Sequence, residues 1–293
     1  MIFSLLGLML AQQPTAPAPT TTPQTQPPLP TISMTAPLPP DPNKVVETIN
    51  GQKIYARDVA GYVYQWSIGR TMEAIKNLTL MQQEADRRGI KVTDAEIRTR
   101  IEGQLQQVRP RVPKGQDFET FLIQQGYPIS YFVVYFKAQL LLEKMADADF
   151  KPDQYVKYGA LMIRPKDETT ASLSAALTSA NTAYAELKRG GAWDNVLKKY
   201  ATIETTTTNG GDRGWLPISA LPAESQKAAI SAKAMDFLPP VKDENGIEIF
   251  RIEAKGKDAT ATELTDLKQR MLPYIERSII TDLQAKAKIE TSF

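Results

Sequence analysis

Beyond residue 70, apolar side chains recur at three- and four-residue intervals, the repeat that lines them up on one face of an α-helix. Met72, Ile75, Leu78, Met81 and Ala85 make one such stripe, ending at Gly89. Ile97, Ile101, Leu105 and Val108 make a second, behind the capping box Thr93-Asp94-Ala95-Glu96 and stopped by Pro110 and Pro113. Asp117 to Gln125 predicts a short helix closed by Gly126. Tyr131 to Met145 is apolar nearly all round, but Lys137, Gln139 and Glu143 interrupt it, which predicts a buried helix and not a membrane span. Leu173, Leu177, Ala180, Tyr184 and Leu187 mark a long helix up to Gly190-Gly191. Trp193, Val196, Leu197 and Tyr200 mark a shorter one, and another is expected from about Glu224 to Ala232. The last stripe starts at Thr262 and runs through Leu264, Leu267, Met271, Ile275, Ile279 and Leu283, with Pro273 expected to kink it.

Strand signals lie between these helices. Val45, Val46 and Ile49, the turn pair Asn50-Gly51 and Ile54 predict a hairpin leading into a helix start. YVKYGALMIRP and GIEIFRIEA read as core strands, and AKIETSF at the end of the chain as a closing strand. NGGDRGWLP, Asn209 to Pro217, reads as a tight reversal into a strand. Gly210, Gly211 and Gly214 accept positive φ, and Trp215 seeks burial. A phosphate cradle is disfavoured, because no strand precedes the loop and no Gly-Lys-Ser/Thr follows it. From Tyr155 onward the order is strand, helix, helix, glycine loop, strand, helix, strand. That is not strict βαβ alternation, so the fold class is α+β with an antiparallel sheet.

Composition removes most enzyme chemistry. The 293 residues hold 35 basic and 33 acidic side chains, a balance that argues against a dedicated nucleic-acid binder. With no histidine the commonest general base and metal ligand is missing. With no cysteine there is no thiolate nucleophile, zinc cluster, disulfide or lipid-anchoring cysteine. No metal site and no cofactor is implied.

No charged residue precedes Asp41. Ile2 to Leu10 is an apolar run of signal-peptide length, so residues 1–11 are read as an export signal, and an extracytoplasmic (periplasmic or secreted) location follows. Residues 12–43 are Pro/Thr-rich and carry more than half of the 21 prolines. They are read as a disordered linker, extended and without a core, reaching up to ~90 Å at ~3.1 Å per residue.

The glycine motif Asn209-Gly210-Gly211-Asp212-Arg213-Gly214-Trp215, with Tyr200 before it and Pro239-Pro240-Val241-Lys242 and Asn245 to Ile252 after it, resembles the parvulin (PpiC) peptidyl-prolyl isomerase domain. VVETINGQKI, EAIKNLTLMQQEADRRGIKVTDAEI and KAKIE resemble the helical chaperone module of the SurA/PrsA extracytoplasmic foldases. The resemblance implies a helical module at 44–150, a parvulin-like domain at 153–256 inserted after it, and a C-terminal helix at 260–293 that completes the module. It also implies a proline pocket beside two histidines and an acidic or thiol residue. Here Ala160 and Glu248 fall at the histidine positions, Ile203 at the acidic or thiol position and Asn245 at a Ser/Thr position. Ser225 replaces a pocket aromatic, while Leu221, Ile230 and Trp215 are the expected substrate-facing apolar residues. Gly210, Gly211, Asp212, Gly214 and Trp215 are the structural motif.

Three functions compete: a chaperone for unfolded or proline-containing exported polypeptides, using a degenerate parvulin site; an isomerase with an altered site; and a scaffold on a Pro/Thr-rich stalk. Membrane contact is expected only through the N-terminal segment. Glu248 has its own bland reading as a surface charge on an edge strand.

Overall fold

The computed structural model describes residues 26–203, 209–244 and 246–290. The expected signal at 1–11 and Asn245 lie outside the described residues. The described residues gather into two compact units, one of those within 1–69 and 93–137 and the other of those within 70–92 and 138–293.

In the first unit, strands β1 (Val45–Ile49) and β2 (Gln52–Tyr55) form an antiparallel hairpin. Asn50 and Gly51 take φ of 49° and 83°, the pair of positive values that a two-residue turn of this hand requires. Helix α1 (Ala56–Arg87) begins directly after the hairpin, well before the stripe that starts at Met72. Its first part shows no apolar stripe because Tyr62, Val63, Tyr64 and Trp66 are all exposed, so no single face is buried. Helix α2 (Asp94–Val108) has the full capping box, Glu96 N–H to Thr93 Oγ1 and Thr93 N–H to Glu96 Oε2, and buries Ile97, Ile101 and Leu105. Helix α3 (Phe118–Gln124) is capped by Asp117 and buries Phe118 and Leu122. Helix α4 (Ile129–Asp149) follows; α1 beyond Gly69 and α4 beyond Lys137 belong to the second unit.

Part of the Pro/Thr-rich stretch departs from a free tether. From Gln26 to Met34 it lies along α2, with Ile32 buried and three of its carbonyls bound by arginines. Prolines hold such a segment extended in advance, so ordering it costs less entropy than for an ordinary chain.

In the second unit, four strands make one antiparallel sheet in the order β4-β3-β6-β5: β3 (Tyr155–Ile163), β4 (Asp212–Pro217), β5 (Val241–Lys242) and β6 (Ile247–Lys255). Alternation along β3 and β6 sends side chains to two cores. Leu161, Ile163, Ile247 and Ile249 pack against α5 (Thr170–Lys188) and α6 (Trp193–Tyr200). Val156, Ala160, Phe250 and Ile252 pack on the other face with Ala229 of α7 (Ala223–Ser231), Leu221 and Leu238. This is the α+β architecture expected from the order of elements.

The last helix, α8 (Ala261–Lys286), opens with a capping box at Thr260 and Glu263 and runs unbroken through Pro273. It buries Ile279 among Met81, Ala85, Leu141, Leu142 and Met145. Nearer its start, Leu267 and Met271 pack with Phe150, Tyr155 and Trp215. Residues 287–290 form no strand, against the expectation for AKIETSF, and 291–293 lie outside the described residues. Ile289 is exposed, so the segment buries no apolar face that a sheet would need.

Candidate functional site

The glycine loop is built as a backbone device. Trp193 Nε1 donates to the Gly210 carbonyl at 2.8 Å, and the Gly211 carbonyl accepts from Ala160 N–H at 2.8 Å. Gly211 has φ of +77°, and a Cβ there would stand 2.8 Å from the Ala160 carbonyl oxygen, so only glycine lets the loop close on β3. Gly214 N–H then bonds Asp212 Oδ1 at 2.8 Å as β4 begins. A register shift between Tyr158 and Gly159 accommodates the junction.

This junction frames one end of a sheet face. Tyr158, Ala160 and Met162 of β3 stand opposite Ile252, Phe250 and Glu248 of β6. Ala160 is 1% exposed and brings no polar group to the face. Tyr158 and Phe250 have ring centroids 5.7 Å apart. Ile203 is half-buried in the segment after α6. Its neighbour Thr202 donates from N–H to the Met162 carbonyl at 3.1 Å and accepts from Arg164 N–H at 2.7 Å. That ties the segment to the Met162 end of β3.

Glu248 departs from the edge-strand reading. Strand β6 lies between β3 and β5, Glu248 pairs with Met162 on one side and Val241 on the other, and its side chain is buried. Burial, the negative charge of Asp243 and a carboxyl–carboxyl hydrogen bond with Asp243 push its pKa up to about 7, with Arg213 opposing. Asp243 is held by a tight turn, its N–H donating to the Gly246 carbonyl and its Oδ1 accepting from Gly246 N–H, both at 2.9 Å. Burial, followed by the Glu248 charge, raises the Tyr158 hydroxyl above the usual tyrosine range. Near neutral pH the Glu248 carboxyl on this face is therefore close to its titration midpoint, beside Asp243.

Other sequence-selected residues are spread more widely. Leu221 is buried in the cluster with Ala160 and Phe250, and Ser225 is buried in α7. Ile230 is 62% exposed, since α7 turns Ser225 and Ala229 inward and leaves Ile230 on its outer side. Trp215 points to the opposite face of the sheet, beside Tyr155 and Leu267. The structure thus places Ala160, Leu221 and Glu248 on the α7 face of the sheet and ties the segment before Ile203 to Met162, whereas Ile230 and Trp215 lie elsewhere.

Asp243, Arg213 and Tyr158 were not singled out from sequence, nor was Lys255. The buried Lys255 ammonium donates to the carbonyls of Ile230 and Ala232, the latter at 2.9 Å, tying the end of α7 to β6. For Asp243 the signal available was the turn-rich Asp-Glu-Asn-Gly just before the strand.

Residues 161–254 match the rotamase (PPIC-type PPIASE domain) family. The chain carries a parvulin-type domain. Its relatives include a foldase protein PrsA from Geobacillus kaustophilus, 28% identical over 60% of this chain and 60% of the relative. A chaperone SurA from Saccharophagus degradans is 25% identical over 72% of this chain and 54% of the relative. The chain is PrsA/SurA-like, and it spans between 54% and 66% of the length of the PrsA and SurA relatives it matches first. Among solved structures, PrsA from Bacillus anthracis aligns over 75% of this chain and 100% of its own, with a TM-score of 0.45 and 16% identity.

Proposed function

We propose that the protein is an extracytoplasmic foldase of the chaperone type, which binds unfolded or proline-containing exported polypeptides through a parvulin-like fold whose isomerase site is degenerate. The observation that carries this reading is the makeup of the sheet face. Ala160 and Ile203 supply no hydrogen-bonding side chain where the family resemblance implies a histidine and an acidic or thiol residue. Glu248, at the second histidine position, is a buried carboxyl coupled to Asp243. The fold around it is kept by Gly211, Trp193 and Leu221, which serve the backbone and the apolar lining and not proton transfer. Exposed Tyr62, Val63, Tyr64 and Trp66 add the kind of apolar surface that binds non-native chains weakly. We read α8 with the 44–150 helices as one chaperone module, and its burial of Ile279 among Met81, Leu141 and Met145 supports this. Among the described residues no helix is long and apolar enough to cross a membrane.

The test is suppression of light scattering by a chemically denatured client, with the full chain and with Glu248→Gln. Equal suppression by both supports a binding role that does not use the carboxyl. Loss of suppression in a correctly folded Glu248→Gln chain would overturn it.

An altered isomerase is favoured by one observation, the proton that Glu248 holds near neutrality beside Tyr158. That reading requires turnover of a cis-prolyl peptide to fall when Glu248 is replaced.

A further inference from the structure

Residues 26–34, QPPLPTISM, are seated on α2 through their main chain. Arg109 donates from Nε to the Pro27 carbonyl at 2.6 Å and from Nη2 to the Gln26 carbonyl at 3.2 Å. Arg98 Nη1 donates to the Ile32 carbonyl at 3.0 Å. Burial alternates from Thr31 to Thr35, with Ile32 buried and Met34 half-buried while Thr31, Ser33 and Thr35 are exposed. Three features make this more than chance contact.

First, the spacings agree. Arg98 and Arg109 lie three helical turns apart, about 16 Å at 1.5 Å per residue. Pro27 and Ile32 are also about 16 Å apart in an extended chain at ~3.1 Å per residue. The two arginines form a fixed ruler that matches an extended backbone running antiparallel to α2. Second, the groups they read are carbonyls, which every polypeptide offers. Prolines offer carbonyls alone, having no N–H to satisfy. Third, Ile32 is the side chain buried to 6% exposure, so specificity reduces to one apolar residue in an extended, proline-bearing context.

We infer that the surface formed by Arg98 of α2 and Arg109, the residue that caps its C-terminal end, is a binding site for extended, proline-bearing polypeptide, and that residues 26–34 occupy it in cis. The inference rests on the client-binding reading for the identity of the incoming chain, and the residues are separate from the parvulin face. A tethered segment competes at an effective concentration on the order of 1 mM. Against a free peptide of roughly 100 μM affinity, that weakens apparent binding about tenfold.

The experiment measures fluorescence anisotropy of a labelled peptide of residues 26–34 with the full chain. The expected result is about tenfold tighter binding to the Ile32→Asp chain, whose own segment is released. Adding Arg98→Ala and Arg109→Ala should abolish binding, and lysine at both positions should recover only part of it, because an ammonium lacks the planar fork. If Ile32→Asp disturbs folding by circular dichroism, Pro27→Gly with Pro30→Gly releases the segment without a buried charge. Equal binding to wild-type and released chains, or binding indifferent to the arginines, would overturn the inference. Client aggregation assayed in parallel separates the two readings. Suppression without peptide binding sinks this site alone, whereas peptide binding without suppression by either chain keeps the site and sinks the client reading.

Discussion

Replacing Glu248 by Gln removes a titration that the fold has moved into the neutral range. Glutamine keeps a donor for Asp243 and matches the protonated carboxyl in shape, so the variant mimics the low-pH form at every pH. The native group has a pKa of about 7 against 4.5 for the ordinary side chain. Between these values the folded chain holds a proton that the unfolded chain has released, so stability from this site falls as pH rises and is least above pH 7. The shift corresponds to about 3 kcal/mol at about 1.4 kcal/mol per pH unit, and solvent reaching part of the carboxyl reduces this to roughly 1–3 kcal/mol. The absence of histidine makes the window unusually clean. Glu276, raised by burial and by Glu143, adds a slope of the same sign but is common to both chains. Urea unfolding from pH 4.5 to 8.5 should therefore show Glu248→Gln more stable than wild type by roughly 1–3 kcal/mol at pH 8, with the two curves converging near pH 4.5. Asp243→Asn, which removes the neighbouring negative charge, should move the wild-type inflection to lower pH. Parallel stability curves for wild type and Glu248→Gln across the range would refute the buried, coupled carboxyl.

The two adjacent loop glycines should respond differently to alanine. Gly211→Ala is expected to cost about 2–4 kcal/mol, from positive φ together with a steric clash, whereas Gly210→Ala, with φ of +66° but open space around its Cβ, should cost about 1 kcal/mol. Comparing their thermal unfolding midpoints checks the ordering. Arg88 bonds Glu84 at 2.6 Å and Asp149 at 2.7 Å, joining the ends of α1 and α4. Arg88→Ala should cost about 1–2 kcal/mol at pH 7. Glu84 is held down to about 2, first by Arg87 and then by Arg88, so its contribution is present above pH 4.5 and lost as pH falls towards 2. Acid unfolding of the Arg88→Ala chain should accordingly begin at higher pH than in wild type.

Where one face of an element is buried, its sequence announced it. Met81 and Ala85 of the first stripe and Ile97, Ile101 and Leu105 of the second are buried as their spacing predicts, but Met72 and Ile75 at the start of the first are exposed; the Gly210-Gly211 reversal leads into β4 as read. The first half of α1 left no stripe because its large apolar side chains are exposed, and a helix with no buried side has no periodicity to read. Ile230 and Trp215 are expected at the site only through the family resemblance. Helix α7 turns Ile230 outward, and strand alternation carries Trp215 to the other face. The coupling of Glu248 to Asp243 depends on the turn that brings Asp243 back beside β6, and the docking of Ile32 depends on arginines distant in sequence. Neither is local, so neither was legible.

The central claim, a parvulin-type fold that binds polypeptide without efficient isomerisation, meets its most direct test in protease-coupled turnover of a cis-prolyl peptide by the full chain. Uncatalysed X-Pro rotation takes tens to hundreds of seconds at 25 °C, so weak catalysis is measurable against it. The expected rate is indistinguishable from the catalyst-free reaction and unchanged by Glu248→Gln. Turnover well above that background, abolished by Glu248→Gln, would contradict it.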